Sequence, residues 1–131
     1  MDHLEPKQAL EFLRKSPDAL FIDCRSEMEY LFVGHPVGAL HVAWNDGPDW
    51  EVNPHFVGQV KKLAGTNHAV LPIVLICRSG NRSGEAGEAL EQHGFVRVYN
   101  VVNGFEGPLN AQHRRNTIAG WRHDGLPWEQ C

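Results

Sequence analysis

The chain has 131 residues, room for one domain (1–131) with a substantial core that needs neither disulfides nor metal. Its net charge of -4 gives no general attraction to nucleic acid or anionic lipid, and its basic residues form no long run. Three widely spaced cysteines argue against a disulfide framework, and the longest apolar stretch, residues 69–77 broken by Pro72, is too short to span a bilayer. Met1-Asp2-His3-Leu4-Glu5 is polar where a secretory signal would be basic and then apolar, so a cytoplasmic protein with neither membrane nor nucleic-acid partners is expected.

Residues 5–15 carry an apolar stripe of Ala9, Leu10 and Leu13, with Pro6 in the first turn, where its missing N–H costs little. They predict a helix ended by Ser16-Pro17-Asp18. Leu20-Phe21-Ile22 predicts a short strand running into Asp23-Cys24-Arg25. A second helix is predicted from near Ser26, whose hydroxyl caps it while Glu29 completes a capping-box pattern. Gly34-His35-Pro36-Val37-Gly38 is a turn by composition, with His35 stabilising it, and residues 39–43 predict a further strand with His41 as a core histidine. From Trp44 to Pro54 the chain is irregular, and Trp44 and Trp50 are expected to cover core rather than line a binding mouth. Asn53-Pro54 opens a helix through Phe56, Val57, Val60 and Leu63 to Gly65.

The next stretch concentrates the chemistry. Ile73-Val74-Leu75-Ile76 is apolar without alternation, which predicts a strand buried on both faces. It delivers Cys77 to the polar turn Cys77-Arg78-Ser79-Gly80-Asn81-Arg82-Ser83, after which Ala86, Ala89, Leu90 and His93 recur at helical spacing. Backbone N–H groups feeding a helix N-terminus form an anion-binding concavity, and Arg78 and Arg82 add full charges. Thiols in such settings have pKa values lowered from about 8.5 to roughly 3.5–7.5, so Cys77 is expected to be a reactive thiolate rather than a buried structural cysteine. Gly80 takes a positive φ without strain, and Ser83 is expected to cap the helix. Residues 95–102 alternate and predict the last strand; residues 109–121 predict a loose helix, with Gly125-Leu126-Pro127-Trp128 as apolar anchors. Strands alternating with helices predict an α/β fold with a mainly parallel central sheet and helices on both faces.

These residues resemble the rhodanese-like sulfurtransferase family in its single-domain form. Leu20-Phe21-Ile22-Asp23-Cys24-Arg25 is similar to the family's apolar-Asp-x-Arg segment. Glu29 followed by Gly34-His35 and Gly38-Ala39 resembles its Glu, Gly-His, Gly-Ala turn, and residues 77–83 resemble its Cys-x-x-Gly-x-Arg-Ser loop. Gly94-Phe95 with the strand after it, and Gly120-Trp121 to Gly125-Leu126-Pro127, continue the match in order. Departures are Pro36 directly after His35, the long 44–54 loop, and Asn103-Gly104-Phe105-Glu106-Gly107, where an insertion delays the family's aromatic to Trp121.

The resemblance implies a double displacement. Cys77 attacks the outer sulfur of a small anionic donor such as thiosulfate, sulfite leaves, and cyanide or a thiol acceptor, a protein thiol included, collects sulfur from the Cys77 persulfide. Residues 78–83 would hold donor and persulfide, while Asp23 and Arg25 would brace the loop and Glu85 would point outward. Alternatives are a sulfur carrier or partner-binding module without turnover, and a cysteine-dependent phosphatase or arsenate reductase. Cysteine phosphatases have Cys-x5-Arg, one residue longer than the Cys77-to-Arg82 spacing. No cofactor or metal is expected, because the eight histidines show no His-x3-His pair and no Cys-x-x-Cys occurs. Cys24 is assigned to packing rather than to a resolving thiol.

Overall fold

A computed structural model describes residues 1–67 and 69–131. In chain order its strands are β1 (Asp2–Leu4), β2 (Leu20–Asp23), β3 (His35–Pro36), β4 (Leu40–His41), β5 (Ile73–Ile76), β6 (Val98–Val101) and β7 (Trp128–Glu129). The helices are α1 (Pro6–Lys15), α2 (Phe56–Ala64) and α3 (Asn81–Gln92), with a π-helical turn at Glu29–Val33 and a 3-10 turn at Gly65–Asn67. Five strands form a parallel sheet in the order β1-β6-β5-β2-β4, and β3 pairs antiparallel with β7.

The unalternating run of β5 is explained by its central place. Ile73 and Leu75 face a cluster closed by Phe56 and Val60 of α2 and Ala86 and Leu90 of α3. Val74 and Ile76 face a second cluster with Ala9 of α1, Phe21, Phe105 and Trp121. All four β5 side chains are fully buried, and burying each aliphatic chain contributes about 1.5–3 kcal/mol. Helices therefore cover both faces, as expected. Among the described residues no helix is long and apolar enough to cross a membrane.

Helix starts follow local chemistry. Pro6 opens α1, and the Glu5 N–H donates to Gln8 Oε1 at 2.9 Å in a capping box. The expected Ser26–Glu29 box also forms: the Ser26 N–H donates to Glu29 Oε1 and the Glu29 N–H to Ser26 Oγ, both at 3.3 Å. The helix that follows is short and widens to π geometry before Gly34 stops it.

Several expectations are corrected. β1 has no strong pattern of its own and exists because Asp2, His3 and Leu4 pair with Tyr99, Asn100 and Val101 of β6. The 34–38 turn contains β3, held by its long-range partner β7. Residues 109–121 form successive turns rather than a helix. Besides local turn bonds, two bonds run outward, from the Asn116 N–H to the Glu106 carbonyl and from the Trp121 N–H to the Gly104 carbonyl. Trp121 is 1% exposed and packs on Phe21 at 5.3 Å between ring centroids, so burial of one aromatic replaces helical periodicity there.

Candidate active site

β5 ends at the carboxyl edge of the sheet, where open α/β sheets bind ligands. Cys77 follows it, and the neighbouring strand β2 delivers Cys24 to the same level. Asp23 stands opposite Ile76 in the register, and the Cys24 N–H donates to the Ile76 carbonyl at 2.9 Å, so the two cysteines lie side by side. Both belong to the same buried cluster.

Gly80, with φ 108°, turns the chain into α3 as its N-cap, and its N–H donates to Cys77 Sγ at 3.1 Å. Ser83 is not the cap. It sits inside the first turn, fully buried, with Oγ 3.2 Å from Cys77 Sγ and 2.5 Å from Asn100 Oδ1 of β6. Its hydroxyl has one proton and two acceptors within reach, so it donates to one of them at a time. The adjacent Cys24 thiol favours the Cys77 thiolate, burial opposes it, and Ser83 and Gly80 add to the favourable side; together they bring the Cys77 pKa from an ordinary 9.0 down to about 5. Cys24, fully buried, is pushed the other way by desolvation and by the charge on Cys77.

A second segment grips the loop from outside. The N–H groups of Phe105, Glu106 and Gly107 donate to the carbonyls of Cys77 (2.8 Å) and Arg78 (2.9 and 3.2 Å). This approach requires Gly104, at φ 56°, because a Cβ there would run into the Cys77 carbonyl and the Arg78 backbone. Asn103-Gly104-Phe105, a departure from the family pattern in sequence, is thus a clamp on the reactive turn.

The two loop arginines have different surroundings. Arg82 is half-buried and paired with Glu29. Arg78 is exposed and makes no ion pair among the described residues. Glu29, Asn45, Trp50, Arg78 and Arg82 line a hollow of about 250 Å³. The tryptophans divide accordingly. Trp44 is buried edge-on against Phe56 and covers core as expected, whereas Trp50, 52% exposed, walls the hollow. The Trp44 Nε1–H donates to Oε2 of exposed Glu85 at 3.1 Å. Ser79 is half-buried and Asn81 exposed, and neither side chain forms a hydrogen bond among the described residues.

Asp23 and Arg25 are buried and bonded to each other, with Arg25 Nη2 2.6 Å from Asp23 Oδ2 and 2.5 Å from the Gly34 carbonyl. Among the described residues neither side chain bonds to residues 77–83. Their connection is indirect, through Arg25 stacked 4.5 Å over the ring of Phe105, whose N–H holds the Cys77 carbonyl. Asn100 also reaches the site, which the sequence motifs do not indicate. Its only signal is a polar amide inside the apolar run of β6, a position that buries it at the hydroxyl of Ser83.

A profile described as "Rhodanese-like domain" matches residues 5–111. The chain belongs to this family. A crystal structure of Rv0390 from M. tuberculosis superposes with a TM-score of 0.87 at 36% identity, covering 100% of this chain and 98% of that one. "Thiosulfate sulfurtransferase GlpE" from Haemophilus influenzae is 28% identical over 109 residues, 83% of this chain and 89% of its own. "Uncharacterized protein RC0915" from Rickettsia conorii is 30% identical over 127 residues, 93% of this chain and 92% of its own. Membership of the rhodanese-like family supports a sulfurtransferase type of enzyme, with a sulfur donor and acceptor as partners in general terms.

Proposed function

We propose that this rhodanese-like domain, residues 1–131, transfers sulfane sulfur from thiosulfate or a similar anionic donor to cyanide or a thiol through a Cys77 persulfide. The observation that carries the reading is the donor set around Cys77 Sγ, the Cys24 thiol with Ser83 Oγ at 3.2 Å and Gly80 N–H at 3.1 Å, which outweighs burial, holds the pKa at about 5 and supplies a thiolate at neutral pH. No general base is required. The thiolate attacks the outer sulfur of thiosulfate, the S–S bond breaks, and its electron pair leaves with sulfite. The persulfide anion that remains stays beside the backbone N–H groups of the turn. An acceptor nucleophile then takes the terminal sulfur and returns the thiolate. Arg78, exposed at the hollow, attracts donor and sulfite, while Arg82, its charge balanced by Glu29, holds the turn to the Ser26–Glu29 segment. The name of the GlpE relatives supports thiosulfate as the donor to try first.

Incubation with thiosulfate followed by intact mass measurement tests this. One added sulfur is expected, removed by cyanide as thiocyanate, and none on Cys77→Ser. A protein that gains no sulfur, or a Cys77→Ser variant that still gains it, overturns the reading. Hydrolysis of an aryl phosphate dependent on Cys77 would replace it with the phosphatase alternative.

A further inference from the structure

We propose that Cys24 and Cys77 form a redox-active dithiol that reduces a hydroperoxide by two electrons and closes as an intramolecular disulfide. Cys24 and Cys77 follow Asp23 and Ile76, which are direct partners on adjacent parallel strands, and the Cys24 N–H to Ile76 carbonyl bond carries the ladder one step beyond them. Adjacent strands lie about 4.7–4.9 Å apart, inside the roughly 4.4–6.8 Å between Cα atoms that a disulfide needs. Both side chains enter the same cluster, so their Sγ atoms are on one face. The Cys24 thiol has the Ile76 carbonyl as acceptor at 3.3 Å and the Cys77 sulfur as the alternative. Both cysteines are free.

The peroxide and the Cys24 thiol reach the Cys77 sulfur by different routes. A small hydroperoxide enters from the loop, where residues 78–80 are partly exposed, and Cys24, fully buried, waits on the core side. The Cys77 thiolate attacks the peroxide, the O–O bond breaks, and with one proton from solvent the products are Cys77 sulfenic acid and an alcohol or water. Cys24 sulfur then attacks the sulfenic sulfur. The S–S bond forms, the S–O bond breaks, and the Cys24 proton leaves with the hydroxyl as water. An external thiol reductant restores both groups. A sulfenic acid unable to form this bond is oxidised by a second and a third hydroperoxide to sulfinic and sulfonic acids, which such reductants do not reverse. The proposal requires only a Cys77 thiolate and stands or falls separately from the persulfide.

The test uses the full chain carrying Cys131→Ser, which removes the exposed third cysteine. Hydrogen peroxide is added in excess, enough to supply three oxygens per thiol, remaining thiols are alkylated, and the protein is weighed intact and as peptides. The expected result is loss of two hydrogens, a peptide pair linking residues 24 and 77, and full return of alkylatable Cys77 with dithiothreitol. With Cys24→Ala added, Cys77 should instead gain two or three oxygens, and most of the thiol recoverable with dithiothreitol should be lost. Oxygen accumulating on Cys77 in the Cys131→Ser protein without the linked pair overturns the proposal, as does equal recovery in the Cys24→Ala variant. Should that variant fold poorly, the linked pair alone decides.

Discussion

Arg82 closes a two-bond ion pair on Glu29, Nη1 to Oε1 at 2.7 Å and Nη2 to Oε2 at 3.0 Å, tying the reactive turn to a helical segment 53 residues earlier in the chain. The charge of this loop arginine is therefore matched inside the protein, and its role differs from that of Arg78.

Burial pushes the Glu29 carboxyl up, but the Arg82 guanidinium and Ser26 outweigh it and hold its pKa at about 2, against an ordinary 4.5. A carboxyl with a depressed folded pKa contributes stability above its unfolded value and loses it as pH falls through the folded one. Glu29→Gln should destabilise by roughly 1–3 kcal/mol at neutral pH, and the difference should shrink as pH falls from about 4.5 toward 2. Urea unfolding of both proteins across that range checks this; a pH-independent difference would sink the coupling.

Alkylation of Cys77 by iodoacetamide should rise with pH around a midpoint of about 5. Ser83→Ala and Cys24→Ala each remove a contact that favours the thiolate, so each should move the midpoint upward. Midpoints that stay in place in both variants would show that the backbone N–H of Gly80 is sufficient.

Arg78→Ala should raise KM for thiosulfate roughly tenfold with little change in stability, because an exposed cation acts on the donor and not on packing. Raising the salt concentration should weaken the native protein toward the variant. Trp50→Ala should leave stability within about 0.5 kcal/mol, since half the ring already meets solvent, and change KM for thiol acceptors more than for cyanide. Steady-state kinetics with both acceptors decide it.

Gly104→Ala should cost at least about 2 kcal/mol, from a Cβ driven into the Cys77 carbonyl together with a left-handed backbone. Activity should fall by more than the unfolded fraction accounts for, because the bonds from residues 105–107 set the turn. Thermal unfolding alongside activity separates the two effects.

Much of this could be read from neighbours in sequence. The apolar run of β5, the turn with Gly80 and two arginines, the Pro6 start of α1 and the Ser26–Glu29 box each depend on residues within a few positions of one another, where propensity and capping act. These were sufficient for a parallel α/β fold with a reactive thiol at a strand end. What joins distant segments was decided by tertiary structure. Cys24 beside Cys77 depends on which strands pair and in what register, and a one-residue slip would turn it to the other face. Asn100 at Ser83, Gly104 under the Cys77 carbonyl, and Trp50 at the hollow depend likewise on where β6 and two irregular loops come to rest. Loops without periodicity carry no local record of their contacts, so the spacing of the 109–121 segment suggests a helix while burial of Trp121 fixes its course.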